Sequence, residues 1–354
     1  MSRCAPRFAA IDLFCGAGGL SYGLQAAGIS VVAGIDLDAS CKYPFEANIE
    51  APFLRMDVRD VTAEHLAPLW NDAEVRLLAG CAPCQPFSPY RRGMDTRAED
   101  KWPLLQEFSR LVCDTLPHLV TMENVPRIRS ARVFLTFVAD LEGLGYHVDW
   151  RSCNCLEYGL AQMRRRLVLV ASRLGAVSLS MVTNLGASRT VGDVIGELPQ
   201  LESGRADRDD PLHRTRGLSD INLERIRASS PGGTWEEWPE HLRAPCHRKA
   251  TGASFRSVYA RMEWDKPAPT ITTLFHNFGT GRFGHPEQDR CISIREGAML
   301  QGFPREYKFV KAGGQIHFSR LGRLIGNAVP PPLGAAVGDT LVRHVVNRSS
   351  GAPS

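Results

Sequence analysis

The residues of this chain best suited to joint chemistry are a cysteine and a carboxylate: Cys84 in Ala82-Pro83-Cys84-Gln85-Pro86-Phe87-Ser88 and Glu123 in Glu123-Asn124-Val125. Each follows an apolar run, Val75–Ala79 and Leu119–Met122, that reads as a short buried strand. Parallel strands joined by a crossover helix bring their carboxyl ends to one sheet edge, where ligands bind. A thiol and a carboxyl delivered there suit a nucleophile working beside a general acid. Taken singly, both have plainer readings. A lone strand-end cysteine is usually core packing, and Glu123-Asn124 could cap the helix that follows. Cys81 and Cys84 form a C-x-x-C, but Cys153-x-Cys155 is the only other close pair, so no metal is expected.

A second set of residues could hold a nucleotide-like ligand. Phe8–Phe14 reads as a strand, Cys15–Leu20 as a glycine turn and Ser21–Ala27 as a helix. Glycines at such a turn let a ligand approach the backbone and the helix N-terminus. The spacing Gly16-x-Gly18-Gly19 is not the full G-x-G-x-x-G of nicotinamide enzymes. Ser30–Ile35 forms a second strand ending at Asp36, where a carboxylate can accept from ribose hydroxyls. Met56-Asp57-Val58 sets another carboxylate at the next strand end, suited to an adenine amino group. Without such context, Phe14 would be core and the two aspartates turn or cap residues.

These motifs, in this order, resemble the bacterial DNA (cytosine-5) methyltransferases that use S-adenosyl-L-methionine. Asp12–Gly19 resembles the family's first motif, Pro83-Cys84-Gln85 its nucleophile motif and Glu123-Asn124-Val125 its acid motif. Gln162-Met163-Arg164-Arg165-Arg166 resembles its Gln-x-Arg-x-Arg, while Arg295–Pro304 and Gly326-Asn327-Ala328-Val329-Pro330 resemble its two closing motifs. The resemblance implies a cofactor set of Phe14, Gly16, Gly18, Gly19, Asp36, Leu37, Asp57, Val58, Pro83, Asn327 and Ala328. It implies S-adenosyl-L-homocysteine as product. Asp36 stands where the family more often carries glutamate.

The same resemblance implies the chemistry. Cys84 adds to carbon 6 of a cytosine, Glu123 serves N3 and the exocyclic amine, Arg166 holds the O2 edge, and Arg164 orients the nucleophile or its loop. The target atom is unreachable inside a stacked duplex, so the base is flipped out. Gln85, Ser88, Arg91 and Arg92 fall in a segment suited to closing over that DNA.

Fold and partners complete the expectation. The resemblance and the alternation of strands and helices imply an α/β class, a doubly wound Rossmann-like methyltransferase sheet with a second, smaller irregular target-recognition domain. Residues 1–175 are expected to form the cofactor-binding catalytic domain and 176–290 the recognition domain. Residues 291–354 would supply the closing motifs and a C-terminal helix, about Ala335–Val346, returning to the first domain. Helices are also expected at Ala98–Leu116 and Ala131–Leu144, and late strands at His147–Trp150 and Arg166–Val170. Within the recognition region Thr270–Leu274 reads as a groove-facing strand before a glycine-rich loop. Arg256, Thr273 and Arg282, with Arg261, His276 and Asn277, are candidates to touch DNA. Arg295-Glu296 reads as a structural helix-start ion pair.

Bulk properties agree without deciding anything. The chain has 354 residues, a net charge of +4 and a pI near 8.5, compatible with DNA binding but not diagnostic of it. Ten scattered cysteines and the absence of any run of roughly 20 apolar residues point to a reducing cytoplasm and no membrane. Double-stranded DNA is the expected partner of a monomer, with a cognate restriction endonuclease acting separately left open. Two rivals stay in view. Relatives that methylate a tRNA cytosine share this machinery, though the long insert favours duplex DNA. A binding-only relative would have lost the nucleophile or the acid, and both are present.

Overall fold

The computed structural model describes residues 6–83, 103–179, 189–248 and 255–349. The chain divides into two compact units. The first is Met1–Tyr158, Arg165–Asn184 and Val329–Ser354; the second is Gly159–Arg164 and Leu185–Ala328. The closing-motif residues Arg295–Pro304 and Gly326–Ala328 thus group with the second unit.

The first unit is built on a seven-stranded sheet: β1 (Phe8–Leu13), β2 (Val31–Asp36), β3 (Phe53–Arg55), β4 (Val75–Gly80), β5 (Leu119–Asn124), β6 (His147–Asn154) and β7 (Arg165–Ser172). Their order is β3-β2-β1-β4-β5-β7-β6. The run from β3 to β5 is parallel. β1 and β5 are buried at every residue, as expected of strands covered on both faces. The order reverses between β1 and β4, so their carboxyl ends open the crevice where doubly wound sheets bind ligands.

β7 breaks the pattern in a useful way. It runs antiparallel to β5, with Glu123 opposite Val168 and Asn124 opposite Leu167. Its beginning, not its end, therefore reaches the carboxyl edge, and Arg166 arrives beside the end of β5. β6 pairs antiparallel with β7 over His147–Asn154, longer than the sequence pattern suggests.

Helices cover the sheet. α1 (Gly19–Ala26), α2 (Lys42–Ile49) and α3 (Ala63–Trp70) follow the first three strands; α4 (Pro103–Thr115) and α5 (Arg132–Gly143) follow β4 and β5. Phe108, Phe134 and Phe137 join Leu13, Leu78 and Met122 in one apolar cluster. Each fully buried phenylalanine stabilises the fold by roughly 1.5–3 kcal/mol. Helices α6 (Val191–Ile195), α7 (Asp220–Arg227), α8 (Ile294–Leu300) and α9 (Phe318–Asn327) belong to the second unit.

The last helix, α10 (Pro331–Ser349), packs on α1 and starts four residues before the sequence expectation. Proline is tolerated in a first helical turn, so the Pro330–Pro332 run opens this helix instead of delaying it. The α1–α10 contact is backbone-close: a Cβ at Gly23 would fall 2.4 Å from the Pro331 carbonyl oxygen.

In the second unit, side chains supply much of the order that a sheet would otherwise give. Among the described residues its strand pairing is confined to isolated bridges. Arg290 donates to both Glu296 oxygens at 2.8 Å with both groups buried, and Ser293 caps α8. Arg295 turns instead to both oxygens of Asp210 and to the Tyr307 carbonyl. Arg295 and Glu296 are structural but are paired elsewhere, not with each other. Thr270–Leu274 is not a strand either. The Ile271 amide donates to the Gln162 side chain and its carbonyl accepts from Arg164, so backbone groups that a ladder would use are taken by side chains.

Candidate active site and cofactor cradle

Register places the acid. Gly80 of β4 lies opposite Met122 of β5, so Cys81, the first residue past β4, comes beside Glu123 near the end of β5. The Cys81 thiol donates to Glu123 Oε2 at 2.9 Å. Arg166 Nε lies 2.8 Å from Oε1 as an ion pair, without an aligned hydrogen bond to that oxygen. Asn124 ties in the next residue, donating from Nδ2 to the Ala82 carbonyl at 3.1 Å. Glu123 is only 5% exposed. The two strand ends are thus joined residue by residue, Cys81 to Glu123 and Ala82 to Asn124. Pro83 follows, exposed; Cys84, Gln85, Ser88, Arg91 and Arg92 lie outside the described residues. Arg166 lies at the acid, a contact the sequence reading did not foresee, with its Nη1 donating to the Arg165 carbonyl. Sequence reading left Cys81 without a role here. Its signal was its position, one residue past a strand parallel to the acid's own.

At the other side of the crevice, β1 runs into the glycine turn. Phe14 and Gly16 adopt left-handed backbone, at φ 57° and 53°, and Gly18 caps α1 at φ 89°. A Cβ built on Gly16 would meet nothing within 4 Å, so open space lies against this backbone. Gly16 N donates to Asp36 Oδ2 at 3.0 Å, and Asp38 N to Oδ1 at 2.9 Å. Burial raises the Asp36 pKa above its ordinary value, against the pull of those bonds. Next to it Leu37 is 59% exposed, an apolar side chain held out beside a carboxylate. Gly19 is buried at the start of α1, and Val58 is buried beyond β3. An exposed leucine, a carboxylate and bare glycine backbone suit an adenosine: apolar contact for the base, an acceptor for the ribose, and room at the turn. Asp57 is differently engaged. Its oxygens take the Arg59 side chain and amide, which hold its pKa down at about 2.

In the second unit Arg164 is 2% exposed. Its Nη1 donates to the Ile271 carbonyl, and its Nη2 to the carbonyls of Gly326 and Ala328, at 3.2–3.3 Å. Ala328 O also accepts from Gln301 at 2.7 Å, while Asn327 is exposed at the end of α9. Thr273 is half-buried, and its carbonyl would lie 2.4 Å from a Cβ at Gly322. Arg256 is exposed and ion-paired with Glu236 at 3.3 Å. Arg282 points its Nη1 at the carbonyls of Gly233 and Arg261, and Arg261 is itself buried among carbonyls and Asp289. A cavity of about 310 Å³ is lined by Arg216, Ser219, Asn222, Tyr259, His276 and Asn277, among others. Burial holds His276 down to about 4, a neutral imidazole at pH 7. Arg216 and Asn222 carry no motif, and only the fold brings them to this wall.

Comparison with known proteins agrees across the whole chain. Residues 8–343 match the family model of C-5 cytosine-specific DNA methylases. The Type II methylase M.HgiDII of Herpetosiphon aurantiacus is 48% identical over 95% of this chain and 96% of its own length. The Type II methyltransferase M1.HphI of Haemophilus parahaemolyticus is 30% identical over 95% and 87%. In fold, the chain superimposes with a TM-score of 0.74 on a structure described as a DNA modification methyltransferase encoded within an E. coli prophage. That match covers 96% of this chain and 99% of the other at 22% identity.

Proposed function

We infer that this chain, which belongs to the C-5 cytosine-specific DNA methylases and is a DNA (cytosine-5)-methyltransferase, acts on a flipped-out cytosine in duplex DNA through a covalent adduct at Cys84. The observation that carries this reading is the joined pair of strand ends. Glu123 and Asn124 hold Cys81 and Ala82, and Cys84 follows Ala82 by two peptide links, at most about 7 Å of chain.

In this reading the Cys84 thiolate bonds to carbon 6 while Glu123 delivers a proton at N3, leaving carbon 5 electron-rich. S-adenosyl-L-methionine, when bound, supplies a methyl group on a positively charged sulfur. The glycine turn at 16–19, Asp36 and Leu37 bind and orient its adenosine half. Phe14, Asp57, Val58, Pro83, Asn327 and Ala328 complete the proposed cofactor set. After transfer a base removes the carbon 5 proton, N3 returns its proton to Glu123, the sulfur–carbon 6 bond breaks and the Cys84 thiolate leaves. Arg166 keeps Glu123 in place and offers its charge to the ring's O2 edge. The second unit is assigned target recognition, with Arg256 and Thr273 as DNA contacts from that unit and Arg282 bracing its backbone, and Gln85, Ser88, Arg91 and Arg92 as contacts from the first.

Among the described residues no helix is long and apolar enough to cross a membrane. The relatives above are named as Type II methylases; we extend to this chain a cognate restriction endonuclease acting separately.

The test is a duplex carrying 5-fluorocytosine at the target, offered with the cofactor beside the same sequence in normal DNA and beside a tRNA. Fluorine cannot leave as the proton does, so the adduct persists and peptide mapping should find it on Cys84. Methylation of normal DNA with no trapped adduct, or an adduct on Cys81, would overturn the covalent assignment. Methylation of the tRNA alone would overturn the substrate.

A further inference from the structure

We propose that Cys81 is a positioning residue for Glu123, its thiol fixing the carboxyl in the orientation that a cytosine ring requires. The proposal rests on Glu123 being the acid of the reaction.

Cys81 is held firmly enough to serve. Its amide donates to the Leu13 carbonyl at 3.3 Å, at the end of β1, and its thiol meets Glu123, the penultimate residue of β5. The strand end before it is packed: a Cβ at Gly80 would lie 3.0 Å from Leu13 O and 3.3 Å from the Phe108 ring. Glu123 therefore has a contact on each oxygen, Arg166 on Oε1 and Cys81 on Oε2. The arginine alone would leave the far oxygen free to swing about the contact. A second cation on that side would hold the group ionised and oppose proton delivery. A thiol does neither. It is a neutral, weak donor to the carboxylate and a weak acceptor once the carboxyl holds a proton, so the hold survives the transfer.

Double-mutant kinetics of the full-length enzyme test this. Cys81→Ala should lower kcat by about 3- to 10-fold, the share of one ordinary hydrogen bond, with KM for cofactor and DNA unchanged. Cys81→Ser, whose hydroxyl donates to the same oxygen, should restore most of that rate. In a Glu123→Gln background, Cys81→Ala should cost less than about 2-fold, because the group it positions is gone. Should the alanine variant fail to fold, Cys81→Val keeps the volume without the donor and carries the same expectation. An equal loss in both backgrounds, or a serine variant as slow as alanine, would mean that Cys81 merely supports the fold. A slow Glu123→Gln beside a fully active Cys81→Ala overturns this proposal alone. A fully active Glu123→Gln overturns the acid assignment and takes this proposal with it.

Discussion

Beneath the glycine turn the Ser21 hydroxyl donates to Asp12 Oδ2 across 2.6 Å, with both side chains buried. The bond ties the end of β1 to the first turn of α1 and so fixes the bend that Gly16 and Gly18 make possible. It does not offset the cost of burying the carboxyl. Desolvation raises Asp12 from 3.8 to about 7, Asp36 adds to the rise, and Ser21 opposes it.

That shift predicts a pH dependence of stability. Below the ordinary carboxylate pKa both folded and unfolded chains hold the proton. Between about pH 4 and 7 the unfolded chain releases it while the folded chain keeps it, so the contribution of Asp12 falls across that window and is lost above it. Asp12→Asn removes the titration. Urea midpoints of the two proteins should show wild type losing ground to the variant as pH rises from about 4 to 7, then running parallel. Parallel curves throughout would show that Asp12 does not titrate in that range.

A second expectation concerns the acid. Glu123→Gln keeps the shape and a donor but cannot deliver a proton. Turnover should fall on the order of 10²–10⁴-fold with cofactor binding intact. Isothermal titration with the cofactor, beside single-turnover methylation, separates the two. An unchanged rate would place the N3 proton donor elsewhere.

Much of the first unit was legible in the residues because its central strands are buried on both faces. Runs such as Phe8–Leu13 and Leu119–Met122 are mostly apolar, and residues with chemistry lie at or just past their ends. What sequence could not provide was strand direction at the sheet's far edge. Nothing in Arg165–Ser172 announces that it runs antiparallel, yet that direction sets Arg166 against Glu123. The second unit was less legible because side-chain bonds, not periodicity, organise it. Gln162 and Arg164 serve carbonyls more than a hundred residues away, and such pairings leave no local pattern.

Arg164 is accordingly expected to matter for stability. A lysine cannot fork between three carbonyls, and it would leave buried acceptors unserved. Arg164→Lys should destabilise the protein by about 2–4 kcal/mol. Denaturant unfolding measures this. Unchanged stability with lost turnover would instead favour a role in orienting the nucleophile or its loop.

Two arginines of the second unit should behave differently on DNA. Arg256 is exposed, its side chain 68% accessible and ion-paired with the surface carboxylate of Glu236, so a phosphate can compete for it. Arg256→Ala should weaken binding to every sequence alike and reduce the slope of log K against log salt by about 0.9, the share of one phosphate contact. Arg282 is half-buried. Burial lowers its pKa, and its Nη1 already braces the carbonyls of Gly233 and Arg261. Its flanking glycines are thus drawn close to its own unit, which weakens their promise as an approach for DNA. Arg282→Ala should lower the melting temperature while leaving the salt slope unchanged. Binding of both variants to a library of target sequences at two salt concentrations, with thermal melts alongside, decides the matter. A loss of about 1–3 kcal/mol confined to one base position would make Arg282 a base reader, against the bracing role argued from its carbonyl partners.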